Sequence, residues 1–150
     1  MTLLIIAHTP SENTRALAEA LSEGATHERE CLVRLCSPWE VKAEDLVSAN
    51  GIILLTPENF GYMSGALKDM FDRCYEHCLE KTQGKPYVLC IRAGKDGTGA
   101  QRSVSSIVNG LGWRAVQQVV VFRGSFSPDF IDQARQTGSA MAAGLAMGIF

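Results

Sequence analysis

The feature that most constrains this chain is a recurrence. Short runs rich in Leu, Ile and Val return at Leu3–Ala7, Cys31–Leu35, Gly51–Thr56, Tyr87–Arg92 and Gln118–Arg123, each followed by a stretch long enough for a helix. Such alternation predicts an α/β domain built on five strands. The first, third and fifth runs carry almost no polar residue over their central positions, the pattern of strands that helices cover on both faces. The sheet is therefore expected to be parallel, the middle layer of a three-layer sandwich. Arg34 lies within the second run, and burying its charge in a central strand would cost several kcal/mol, so that strand belongs at an edge. The doubly wound strand order 2-1-3-4-5 places it there.

The intervals read as helices. Ala16, Leu17, Ala20 and Leu21 form one apolar stripe, with Arg15, Glu19 and Glu23 on another face. Ser64 is the expected N-cap of a helix whose stripe runs Leu67, Met70, Phe71, Cys74, Tyr75 and Cys78 before Gly84 and Pro86. A fourth helix is expected over Gly99–Leu111, and Ser127 with Pro128 heads a last one that runs almost to the C-terminus. Pro38–Asn50 reads as a further short helix.

A chain of 150 residues, 46% hydrophobic, without repeat or linker, is expected to form one domain over residues 1–150. Its core needs no disulfide at that size. The five cysteines are odd in number and contain no CxxC pair, so they are expected as reduced thiols in a cytoplasmic protein. No run is long enough to span a membrane. A net charge of −2, with acidic and basic residues interspersed, gives no nucleic-acid footprint. A small-molecule partner is the expectation.

In an open parallel sheet, ligands sit beyond the carboxyl ends of the strands where successive crossovers diverge, here between strands one and three. The first flanking loop, His8-Thr9-Pro10-Ser11-Glu12-Asn13-Thr14, offers three hydroxyls, an amide and backbone N–H groups at a helix N-terminus. It contains no Lys or Arg, which suits a phosphate held by neutral hydrogen bonds. Ser11 or Asn13 reads equally as no more than a helix cap, and His8 either packs or meets the ligand. The second loop, Thr56 to Ser64, brings Phe60, Tyr62 and a glycine that allows close backbone approach, features that fit a flat heteroaromatic ring or plain local packing. The third, Ala93-Gly94-Lys95-Asp96-Gly97-Thr98-Gly99, approaches from the other side. Its glycines match neither the P-loop nor the dinucleotide fingerprint. Cys74, His77 and Cys78 share a helical turn, but the two thiols lie on the apolar stripe and read as core. No nucleophile elbow or catalytic triad occurs.

These loops resemble those of the flavodoxin-like NADPH-dependent FMN reductase and NAD(P)H:quinone reductase superfamily. The resemblance is carried by Thr56-Pro57-Glu58, Gly61, Ser64-Gly65-Ala66-Leu67-Lys68 and Asp72-Arg73, by the His8–Thr14 loop, and by Gly94, Gly97 and Gly99. It implies that Thr9, Ser11, Asn13 and Thr14 hold the phosphate of FMN. Pro57, Glu58, Asn59, Phe60 and Gly61 would line the isoalloxazine, and Gly94 and Gly97 would complete the pocket. The implied activity is hydride transfer from NAD(P)H, as co-substrate, to flavin N5 and onward to a quinone, flavin or similar small acceptor, with no catalytic side chain. The ring loop departs from the family's usual pattern at Asn59-Phe60-Gly61. A chain shorter than many such reductases is expected to complete its nicotinamide pocket as a homo-oligomer, with Phe60, Tyr62 and the Met147–Phe150 tail as interface candidates. A flavodoxin-type electron carrier and a scaffold of the same fold without flavin are the alternatives.

Overall fold

A computed structural model describes Met1–Phe150. The elements in chain order are β1 (Thr2–Ala7), α1 (Glu12–Thr26), β2 (Leu32–Cys36), a 3-10 turn (Pro38–Glu40), α2 (Ala43–Ser48), β3 (Gly51–Pro57), α3 (Gly65–Cys78), β4 (Pro86–Ala93), α4 (Thr98–Leu111), β5 (Arg114–Ala115), β6 (Val120–Arg123) and α5 (Pro128–Ala146). All pairings are parallel, and the order is β2-β1-β3-β4-β5, with β6 also bonded to β4.

Alternation along the strands divides the core into two layers. Leu4, Ile6, Ile52, Leu54, Leu89 and Ile91 face α3 and α4 with Leu67, Met70, Phe71 and Val104. Leu3, Ile5, Ile53, Leu55, Val88 and Cys90 face α1 and α5 with Leu17, Leu21, Met141 and Leu145. All five cysteines are free and buried, and Cys74 and Cys78 sit in the α3 stripe as expected. Ser11, Ser64 and Ser127 cap α1, α3 and α5, each accepting a backbone N–H from the first turn. No helix is long and apolar enough to cross a membrane.

β2 lies at an edge as expected, and the departures fall after it and at the opposite edge. β2 pairs only with β1 and is half exposed, and Arg34 reaches out to Asp45 at 2.5 Å. The stretch expected as one short helix divides into the 3-10 turn and α2, with Arg73 of α3 donating to the carbonyls of Val41 and Pro38. At the opposite edge the expected single fifth strand is two. β5 pairs with β4 at Pro86 and Tyr87, and β6 rejoins it at Cys90–Ala93, so Val116–Val119 stand opposite only Val88 and Leu89. The surplus is a bulge-like excursion at an edge, where unpaired backbone can reach water. Val120 and Val121 are consequently half-buried, not covered on both faces.

Helices α1 and α5 touch through backbone. A methyl group on Gly24 would sit 1.9 Å from the Arg135 carbonyl oxygen, and one on Gly138 the same distance from that of Leu21. Gly138→Ala must therefore part the helices, and we expect it to lower stability by about 1–3 kcal/mol. A thermal melt of the variant beside the wild type measures this.

Candidate functional site

The carboxyl ends of β1, β3 and β4 deliver their loops to one edge of the sheet, because every parallel strand runs the same way. α1 leaves toward one face and α3 toward the other, so the crossovers diverge between β1 and β3. All of the expected site residues lie on this edge, in three loops.

In the first loop, Ser11 and Thr14 bond each other. Ser11 Oγ accepts the Thr14 N–H at 3.2 Å, Thr14 Oγ1 accepts the Ser11 N–H at 3.1 Å, and Thr14 Oγ1 donates to the Ser11 carbonyl at 3.0 Å. Thr14 is buried by this arrangement. Both residues therefore shape the loop, while the N–H groups of Glu12 and Asn13, the Asn13 amide and the Thr9 hydroxyl bond nothing within the chain. Glu12 is turned to solvent. His8 closes β1 by donating its N–H to the Leu55 carbonyl at 3.0 Å. Its Nδ1 is buried without a partner, and burial holds the imidazole below its ordinary value of 6.5.

The second loop is a tight turn. Asn59 and Tyr62 exchange backbone hydrogen bonds at 2.9 and 3.0 Å, with Phe60 (φ 52°) and Gly61 (φ 68°) both left-handed between them. Two such residues make a type I′ turn, in which Asn-Gly is the favoured pair. A phenylalanine there is strained, and its ring is fully exposed, so no packing within the chain offsets the strain.

This turn is clamped to the start of α4. Glu58 Oε2 accepts the Ala100 N–H at 2.9 Å, a carboxylate at a helix N-terminus. Gly99 touches the turn so closely that a methyl there would stand 1.9 Å from the Gly61 carbonyl oxygen. Two buried hydroxyls hold the loop further, one within it and one from α4. Thr56 Oγ1 accepts the Ser64 N–H at 3.0 Å, and Ser103 Oγ accepts the Met63 N–H at 3.0 Å while donating to the Ala100 carbonyl. The Glu58 carboxylate, expected at a ring, is thus engaged in holding the loop. Ser103 was not anticipated, since nothing in a mid-helix serine announces a partner 40 residues away.

In the third loop only Gly97 is left-handed (φ 74°), buried as the N-cap of α4. Gly94 lies exposed, with open space where a side chain would be. Gly99 serves close approach, not an unusual φ. Next to this loop, Arg92 at the end of β4 donates to the Ala93 and Phe122 carbonyls at 2.9 and 3.0 Å and lies over the rings of Phe126 and Phe130. It ties β4, β6 and the start of α5 together. The tail is divided: Met147 and Ile149 are exposed, whereas Phe150 packs on Gly144.

The three loops line an open edge, not a single closed pocket. A cavity of about 250 Å³ on the β2 side is walled by Thr9, Arg15, Glu19, Ser37 and Glu40. One of about 400 Å³ lies behind the turn, against Gly61, Tyr62, Lys68, Gly99 and Arg102.

A family model described as NADPH-dependent FMN reductase matches residues 37–127. That span holds the second and third loops and begins after the first. A flavodoxin of Aquifex aeolicus (strain VF5) is 30% identical over 103 residues, covering 69% of this chain and 55% of that protein, so the match spans about half the length of this curated relative. Among solved structures, a flavodoxin from the domain Archaea is similar at a TM-score of 0.83 and 19% identity, covering 97% of this chain and 99% of that one. A flavone reductase matches at 0.78 and 16% identity, covering 99% of this chain and 64% of that one. At these identities the structures share the flavodoxin-like fold that the strand order describes.

Two outcomes follow from the strain at Phe60 and the burial of His8. Phe60→Asn places the favoured residue in the turn and is expected to raise stability by up to about 1 kcal/mol, measured by urea denaturation. His8 is held below its ordinary 6.5, so the unfolded chain takes up a proton that the folded chain refuses. Its contribution to stability is present above that value and declines as pH falls below it. Denaturation at neutral and mildly acidic pH should show a slope that is shallower in His8→Gln.

Proposed function

The chain belongs to the NADPH-dependent FMN reductase family, and from that premise we propose that it binds FMN and oxidises NAD(P)H, passing the electrons to a quinone, a flavin or a similar small acceptor. The observation that carries this reading is the pair of unbonded N–H groups at the start of α1, in the loop that also holds an unpartnered buried His8 Nδ1. With no cation in the loop, these donors fit a phosphate monoester received by neutral hydrogen bonds and the positive end of a helix.

Asn13 and Thr9 contribute free side chains to that phosphate, while Ser11 and Thr14 hold the loop that presents them. Pro57, Asn59, Phe60, Gly61, Gly94 and Gly97 form the rim for a planar ring, with Glu58 fixing the rim to α4. When bound, FMN supplies the electron-accepting ring, and the protein binds and orients it. The strained Phe60 is retained because its exposed ring covers the cofactor and excludes water, a function at the expense of local stability. A second copy of the chain, meeting Phe60 and Tyr62, completes the nicotinamide side.

A second reading is an electron carrier that does not itself oxidise a nicotinamide. The likeness to an archaeal flavodoxin over 97% of this chain and 99% of that one supports it. NADPH oxidation with a quinone separates the two: turnover no faster than free FMN leaves the carrier.

The binding step is tested by adding FMN, desalting and recording the visible spectrum. Retained flavin is expected, and a colourless protein overturns the proposal. Asn13→Ala should weaken FMN binding about tenfold or more, since it removes a hydrogen bond to a charged group, with the melting temperature unchanged. Thr14→Ala is a poorer test because Thr14 also supports the helix start. FMN should also raise the His8 pKa, read by NMR titration, because a phosphate dianion favours the imidazolium.

A further inference from the structure

The cavity behind the turn differs from the other openings in its charge. Lys68 from α3 and Arg102 from α4 stand in its wall, and no carboxylate lines it. The β2-side cavity sets Arg15 against Glu19 and Glu40, and the opening beside α5 contains an arginine, Arg135, already paired with Glu23 and Asp132. A fourth, along Gln101 and Gln118, has no charged wall residue. Arg102 has no ion-pair or hydrogen-bonding partner for its guanidinium. Lys68 bonds Asp72 at 2.5 Å, an exposed i,i+4 pair of the kind worth only a few tenths of a kcal/mol, which an arriving anion readily displaces.

We infer that this cavity receives a phosphate of the nicotinamide dinucleotide, with Arg102 as its principal contact and Lys68 as the second cation. A guanidinium presents a planar fork of donors that matches phosphoryl oxygens two at a time, and one left unpaired is available for that purpose. Ser106, exposed one helical turn along α4 from Arg102, lines the same wall with its hydroxyl donating to the Arg102 carbonyl at 3.1 Å, and the half-exposed Tyr62 adds an aromatic face at the mouth. Gly61 and Gly99 belong to both the ring-side turn and this cavity. A dinucleotide whose nicotinamide faces a ring held by the turn thus crosses a single backbone contact to reach Arg102. The absence of any side chain on either glycine keeps that crossing low. The inference rests on the flavin-binding reading, and it makes Arg102 a nucleotide-binding residue, one that sets the preference between the two dinucleotides where the 2′-phosphate is the occupant.

The experiment uses nucleotides that carry no reducing power, so it is independent of turnover. FMN-treated protein is titrated calorimetrically with 2′,5′-ADP, ADP and AMP, and its flavin absorbance is recorded in parallel. The wild type should bind 2′,5′-ADP or ADP, and the preferred one identifies the 2′-phosphate or the pyrophosphate as the occupant. AMP should bind more weakly than that preferred nucleotide. Arg102→Ala should lose about tenfold or more in affinity for it, Arg102→Lys should recover part of the loss, and Arg29→Ala, an exposed arginine in another loop, should match the wild type. Flavin retention should be equal in all four proteins. No binding of either diphosphate, or equal binding by wild type and Arg102→Ala, overturns the inference whatever the flavin absorbance shows. Loss of flavin with nucleotide binding intact would instead count against the cofactor reading alone.

Discussion

Everything in this molecule follows from burying a parallel sheet on both faces. Strands with Leu, Ile and Val on each side leave no solvent-facing surface, so each crossover has to be a helix laid against one face or the other. Because all strands then run in one direction, their carboxyl ends and the loops that follow share one edge. Chemistry accumulates there for a geometric reason, and the opposite edge has only turns. The close α1–α5 contact through Gly24 and Gly138 belongs to the same demand, since two helices must fit over one half of a narrow sheet.

The edge is not equally rigid along its length. The Asn59–Tyr62 turn and the start of α4 behave as one piece, joined by the Glu58 carboxylate, the Gly61–Gly99 contact and the Ser103 hydroxyl, while the Thr56 hydroxyl closes the loop by accepting the Ser64 N–H. All of these bonds are satisfied within the chain. The first loop is different, because its caps are satisfied but the helix-end N–H groups and the His8 Nδ1 are not. A fixed rim beside an unsatisfied cradle is the arrangement expected of a site that orders its ligand without reorganising itself.

Strain and charge are distributed unevenly along this edge. Phe60 occupies a conformation that an asparagine would take at lower energy, on a turn whose other groups are well bonded. Around the turn the cavities diverge in sign. The β2 side is balanced toward carboxylates and the α3–α4 side toward cations, although the chain as a whole is nearly neutral. Net charge averages over these two surfaces and conceals both.

Sequence pattern alone determined the layers, the parallel sheet, the edge position of β2 through the charge of Arg34, and the caps Ser64 and Ser127, because each depends on residues adjacent in sequence or on one helical face; it left the cap of α1 open between Ser11 and Asn13, and the structure makes it Ser11. The loops that flank the divergence of the crossovers were legible for the same reason, their place being set by strand order. What only the tertiary structure decided involves partners far apart along the chain. Glu58 bonds Ala100, Met63 bonds Ser103, and Gly99 rests on Gly61. The division of labour within the first loop, with Ser11 and Thr14 shaping and Asn13 free, required the hydrogen-bond directions themselves. The broken fifth strand was hidden because a valine-rich run looks the same at a protected centre as at an edge. Only its neighbours determine whether water reaches it.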